Sequence, residues 1–395
     1  MEISLDIIQT VGLAVIVFIV GRWIKSKVAF FRTYFIPAPV IGGLLFSVLT
    51  FLGYQTGLVT LLLDTTLQDF FMNLFFTCIG FSVSVALIKR SGKLGAILAV
   101  ISVIFLFIQN LVGVALSELF GINNLLGVAM GSISMSGGIG SAAAFGPTLE
   151  ALGADNGTAV GIAGATFGLL VGCLIGGPVA KRLIDKNKLK SSHVANGQVI
   201  QEEEKKVTNI VGVSVLNSVM IVLLAAAAGS LISYLLNLTG LTFPYYVGCL
   251  FAGAIVRNVF DKQLTQDKMN EIDVISNVSV TLFLSMALMS LEFWKLIALA
   301  GPMFAILVAQ ALVVMVFAYF VTFRAMGKDY EAAVMAAGHC GVGIGQTPNA
   351  IANMEAVIEK HGPAPNAWFV LPVITVVFIN IFNPVVITLF INIFS

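Results

Sequence analysis

Two glycine-rich runs hold most of the residues able to bind a ligand. Ser132–Pro147 reads SISMSGGIGSAAAFGP, and Ala336–Met354 reads AAGHCGVGIGQTPNAIANM. A glycine costs a helix about 1 kcal/mol against alanine. Peptide groups left unpaired in lipid cost several kcal/mol each. Runs so costly in an apolar chain point to a purpose. Glycine lets backbone N–H groups approach a ligand without a side chain in the way. A helix N-terminus adds roughly half a positive charge. Together they make an anion site from neutral residues. The candidate binding residues are Ser136, Gly137, Gly138, Gly140 and Ser141 in the first run. In the second they are His339, Gly341, Gly343, Gly345, Gln346, Thr347, Asn349 and Asn353. Asn349 and Asn353 share one helical face by spacing. The competing reading is close helix packing by small residues. Gly138-x-Gly140-x-x-Ala143 also fits a variant dinucleotide motif, but no strand-helix-strand unit surrounds it.

The elements that must position these runs are membrane helices. Of the 395 residues 58% are hydrophobic, mean hydropathy is +1.00, and 10% are charged, against roughly 25% in a soluble domain. Apolar segments near the ~20 residues needed to span a bilayer recur at about 7–21, 35–53, 70–88, 95–119, 157–180, 207–238, 244–256, 273–291, 296–323 and 366–392. The chain therefore reads as an all-α polytopic membrane protein. The alternation expected of a β-barrel is missing. A net charge of +1 leaves no basic domain for nucleic acid. Cys78, Cys173, Cys249 and Cys340 have neither metal-site nor disulfide spacing. Glu2 and Asp6 in place of a basic stretch argue against a secretory signal.

Charge sets the expected topology. If the runs at about 125–150 and 330–355 enter and leave on one side, every Lys and Arg except Lys295 falls on the cytoplasmic face. If both cross, the split is nearly even. The positive-inside rule selects the first arrangement, with both termini outside and the polar stretch 183–206 a cytoplasmic linker. The halves also match each other. PVIGGLLF at Pro39 returns as PYYVGCLF at Pro244; Gly138-Ile139-Gly140 returns as Gly343-Ile344-Gly345; Pro178-Val179 returns as Pro384-Val385. The predicted domains are a first repeat, 1–182, and an inverted second repeat, 207–395. Each has five transmembrane helices plus one re-entrant hairpin. Inverted repeats of this kind mark secondary transporters, with the site at the midplane on interrupted helices.

No Lys or Arg lies inside a predicted span, and no Asp or Glu in the central part of one. Proton carriers commonly use such groups, whereas sodium needs only carbonyl, amide and hydroxyl oxygens. Sodium is therefore the expected coupling ion. Its candidate ligands are Asn110, Thr166, Asn277, Ser279, Gln310 and Asn383. His339 is the competing proton carrier, or else a packed neutral ring.

Five segments resemble the bacterial sodium/glutamate symporter family: YFIPAPVIGGLL, SISMSGGIGSAAAFGP, TFGLLVGCLIGGPVAKRL, NVSVTLFLSMALMSLEFW and AAGHCGVGIGQTPNAIANM. The likeness runs from about Gly21 to Phe390. It implies uptake of L-glutamate with Na⁺ across the bacterial inner membrane, two inverted five-helix halves, a homodimer in lipid and an elevator-like movement. Other readings stay open. A carrier of citrate- or malate-like acids would favour a buried arginine. A channel needs a continuous pore. An enzyme would have to bring Ser136 and His339 together.

Overall fold

The computed structural model describes residues 2–33, 36–56, 60–191, 212–240, 243–290, 296 and 299–395. Most of the expected linker 183–206 lies outside the described residues, as does Lys295. The elements run β1 (Glu2–Leu5), α1 (Ile7–Lys27), α2 (Ala29–Thr33), α3 (Ala38–Gln55), β2 (Thr60–Leu63), α4 (Thr66–Phe81), α5 (Val85–Arg90), α6 (Gly92–Leu119) and α7 (Asn124–Val128). A π-helical turn, Ala129–Ile133, leads to α8 (Gly138–Ala151), α9 (Gly157–Asn187), α10 (Gly212–Asn237), α11 (Tyr245–Val259), α12 (Gln266–Met289) and α13 (Ala300–Phe317). A second π-helical turn, Ala318–Thr322, precedes α14 (Phe323–Ala325), α15 (Tyr330–Ile344), α16 (Thr347–His361) and α17 (Pro365–Phe394).

Among the described residues six helices are long and apolar enough to cross a membrane, or seven if the two arms of α17, bent by 45°, form one span. The protein is thus an all-α polytopic membrane protein with one small exception. β1 and β2 pair in parallel, Glu2 opposite Thr60 through Leu5 opposite Leu63. Element ends differ from the hydropathy reading at several spans: α1 runs on to Lys27, and α9 to Asn187, inside the expected linker 183–206. The span expected over 70–88 ends at Phe81, and a break at Ser82–Ser84 separates it from α5. The span expected from 273 begins at Gln266. Its polar first turns are continuous with the apolar part because helical hydrogen bonding does not depend on hydropathy. That extension brings Glu271 into the helix at 5% exposure, where it accepts a 2.6 Å bond from the Ser218 hydroxyl on α10.

The chain divides into two compact units. The first comprises Met1–Ser82, Ala143–Val160 and Val211–Gly301. There α1 meets α3 backbone to backbone: a Cβ on Gly21 would lie 2.0 Å from the Ala38 carbonyl oxygen. At the crossing of α4 and α11, a Cβ on Gly80 would lie 2.2 Å from the Leu250 oxygen. Small residues permit such approaches, from which membrane helices gain most of their packing energy. Tyr246 fills the centre, stacked on Phe76 at 4.0 Å and edge-on to Phe145 at 5.4 Å.

The second unit comprises Val83–Ala142, Gly161–Ile210 and Pro302–Ser395. It contains α5 to α7, the start of α8, most of α9, and α13 to α17. Both glycine-rich runs break their helices inside this unit. All four cysteines are free thiols.

Candidate functional site

The first run turns because its backbone is interrupted twice. Asn123 caps α7 by accepting from Leu125 N at 2.8 Å. The π-helical turn then kinks at Gly131, and α8 begins at Gly138 with φ +70°. That left-handed conformation favours glycine. Ser132 is held on three sides. Its N–H donates to Asn110 Oδ1 at 2.9 Å, its hydroxyl accepts from Asn110 Nδ2 at 2.9 Å, and its carbonyl accepts from Asn383 Nδ2 at 3.1 Å.

The second run forms an antiparallel helical hairpin. Asp329 caps α15 by accepting from Ala332 N at 2.8 Å. The chain breaks at Gly345 and Gln346, and α16 starts at Thr347 with Pro348 in its first turn, where a missing N–H costs nothing. Gly341 packs on the Asn349–Ala350 backbone, and a Cβ there would meet Ala350 N at 2.6 Å. At the stem the Tyr330 hydroxyl donates to the Gly362 carbonyl, so the two ends of the hairpin meet.

Helix α9 receives this hairpin along a glycine ladder. A Cβ on Gly168 would lie 1.9 Å from the Ile344 oxygen, and one on Gly176 2.5 Å from the Ala337 oxygen. Asn349 Nδ2 donates to the Leu169 carbonyl at 2.8 Å, and Asn353 Nδ2 to the Gly172 carbonyl at 2.7 Å. The two asparagines do share a helix face, as their spacing predicts, and that face packs on α9.

The two tips meet. A Cβ on Gly138 would sit 2.6 Å from Gln346 Nε2, which places the first residue of α8 against the residue preceding α16. Gln109 on α6 joins them as well. The Ser136 hydroxyl donates to Gln109 Oε1 at 2.6 Å, Gln109 Nε2 donates to the Gly343 carbonyl at 2.5 Å, and Gln310 Nε2 donates to the Gln109 carbonyl at 2.8 Å. Six buried side-chain oxygens in this unit have no partner among the described residues: Ser102 Oγ, Ser134 Oγ, Gln310 Oε1, Asn349 Oδ1, Asn383 Oδ1 and Thr388 Oγ1. Unpaired acceptors of this kind suit a cation or an ammonium group.

The expected residues therefore separate. Gly137, Gly140, Ser141, Gln346 and Thr347 are partly exposed at the tips. Ser136, Gly341, Gly343 and Gly345 are buried behind them. His339 stands further back, 2% exposed. It lies edge-on to Phe105 at 5.5 Å and to Phe317 at 5.7 Å, with Nδ1 2.8 Å from the Thr322 hydroxyl. Of the sodium candidates, Asn110, Gln310 and Asn383 belong to the tip network. The Thr166 hydroxyl bonds its own helix at Ile162 O, 2.8 Å away. Asn277, exposed, and Ser279, buried, lie on α12 in the first unit and take no part in that network. Gln109, Ser132 and Ser134 were not singled out from sequence. Gln109 stands beside Asn110, and a pair of adjacent mid-span amides is the signal that could have found it.

The sequence profile described as Sodium/glutamate symporter matches residues 3–363. The sodium/glutamate symporter of Escherichia coli (strain K12) is 37% identical over 399 residues, covering 97% of this chain and 96% of the relative. That of Haemophilus influenzae (strain ATCC 51907 / DSM 11121 / KW20 / Rd) is 35% identical over 390 residues, with the same shares covered. The chain belongs to the sodium/glutamate symporter family. For a sodium/glutamate symporter, a site built from peptide dipoles and neutral oxygens has a chemical logic. It can hold an anion and a monovalent cation side by side without a buried side-chain charge, whose desolvation is costly.

Proposed function

We propose that this chain carries L-glutamate into the cell together with sodium, by alternating access, in the inner membrane of a bacterium. Family membership supplies the substrate, the ion and the class of activity, which is transport and not enzymatic catalysis. The observation that carries the mechanism is the meeting of Gly138 with Gln346. Helices α8 and α16 both start there, and each N-terminus contributes roughly half a positive charge. Each takes one substrate carboxylate through Gly137, Gly138, Gly140 and Ser141 on one side, and Gln346 and Thr347 on the other. The ammonium group goes to a neutral acceptor, for which Asn349 Oδ1 is available. Sodium takes oxygens from Gln310, Asn383 and Ser134, which are buried and unpaired.

The tips belong to two inverted repeats, 1–182 and 207–395, joined by a cytoplasmic linker over 183–206. Four features support this reading. Pro39 and Pro244 lie at the starts of α3 and α11. Gly138-Ile139-Gly140 opens α8 after the first break and the matching Gly343-Ile344-Gly345 closes α15 at the second, while Pro178 and Pro384 lie inside α9 and α17. The closed stem at Tyr330 and Gly362 suits a hairpin that enters and leaves on one side. Both termini then face outward. The exposed apolar faces of α1 and α10 meet lipid or a second copy in a homodimer.

Uptake of labelled L-glutamate into proteoliposomes tests the proposal, with sodium, pH and membrane potential varied separately. The expected result is accumulation that requires an inward sodium gradient. Accumulation driven equally by a proton gradient without sodium would reject the coupling ion; no accumulation under any gradient would reject the substrate.

A further inference from the structure

The first unit contains a cavity of about 660 Å³ at one end of α4, α8, α9 and α12. Gln68, Glu150, Asp155, Asn156, Thr158 and Ser290 line it. Every polar side-chain group here carries an oxygen acceptor, two of the groups are carboxylates, and no Lys, Arg or His lines the cavity among the described residues. Hard oxygens of this kind select hard cations. A further observation points to an occupant. Thr158 is 7% exposed, and its hydroxyl makes no bond to another described residue. The turn that presents these groups is built locally. Asn156 takes φ +63°, and Thr158 N donates to Glu150 Oε1 at 2.9 Å, which fixes the acidic residue beside the start of α9.

Glutamate does not suit this cavity, because its two carboxylates would face Glu150 and Asp155. A monovalent ion would leave a carboxylate unneutralised. The volume exceeds that of a bare ion, so the occupant keeps part of its water shell, as magnesium commonly does. We propose that this cavity binds an alkaline-earth dication, Mg²⁺ or Ca²⁺, which braces the α8–α9 turn against α4 and α12. On the topology proposed above the site opens to the outer face; the binding itself does not depend on that orientation.

The test uses purified full-length protein in detergent and isothermal titration with CaCl₂ and MgCl₂ in choline chloride. One saturable site is expected, with a dissociation constant on the order of 10⁻⁴–10⁻³ M, as in extracellular calcium modules. Asp155→Asn should weaken it about tenfold or more, with Glu150→Gln as a second variant. Asp155→Asn should also keep its monodisperse elution and its sodium-dependent glutamate uptake in dication-free buffer, which shows that it folds. No saturable heat with wild-type protein, equal affinity in wild type and Asp155→Asn, or complete displacement by an equal concentration of sodium would each overturn the proposal. Loss of glutamate transport in the wild type would reject the function proposed above and leave the dication result standing.

Discussion

Gln109 and Gly343 lie 234 residues apart, and Gln109 Nε2 donates to the Gly343 carbonyl at 2.5 Å. The same amide accepts from Ser136 at 2.6 Å, so one side chain on α6 ties both tips. Gln109→Leu removes both bonds and leaves the Ser136 hydroxyl and the Gly343 carbonyl only their longer 3.3 Å bond to each other. Each buried group left unpaired costs about 1–3 kcal/mol. The variant should melt well below wild type and lose most glutamate uptake. Wild-type melting would show that the tips hold each other without this bridge.

Glycine spacing on α9 makes a sharper prediction. A Cβ on Gly168 would lie 1.9 Å from the Ile344 oxygen, whereas one on Gly177 meets nothing within 4 Å. Gly168→Ala forces the hairpin off α9 and should cost roughly 1–3 kcal/mol or more, as overpacking does. Gly177→Ala should be neutral or gain up to about 1 kcal/mol from helix propensity. Thermal melting of the two purified variants compares them directly; equal melting would contradict the ladder.

His339 is held by two aromatic rings and a threonine hydroxyl. Each edge-on contact contributes about 0.5–1.5 kcal/mol. His339→Gln should lose stability on that scale while keeping sodium-driven, concentrative uptake. A variant that kept only downhill transport, with its pH dependence gone, would make His339 a proton carrier and overturn the preference for sodium.

The Tyr246 hydroxyl is fully buried without a partner, while its ring is stacked on Phe76 at 4.0 Å. Removing an unpaired buried polar group relieves its desolvation cost, about 1–3 kcal/mol. Tyr246→Phe should therefore melt at or above wild type. A lower melting temperature would mean that the hydroxyl has a partner, such as a buried water.

Cysteine substitutions along 136–147 and 339–350 test orientation. Labelling of the first stretch from outside and of the second from inside is expected. Labelling of both from one side would reject opposed hairpins and, with them, the inverted repeat.

The sequence by itself determined the membrane class, the family and the two glycine-rich runs at which helices break. Those features are local or compositional: apolar length answers to bilayer thickness, and glycine spacing weakens a helix wherever it falls. Helix ends were less legible, because hydrogen bonding carried α12 back to Gln266 through polar residues and so buried Glu271, which hydropathy had left outside the span. Asn349 and Asn353 share a face by spacing, but nothing local says that the face meets α9. Only the tertiary structure decided which groups meet. It placed Gly138 against Gln346, set Gln109 between the tips, and put His339 behind them among aromatic rings. Those pairings depend on how helices far apart in the chain pack, and packing answers to shape across the whole unit.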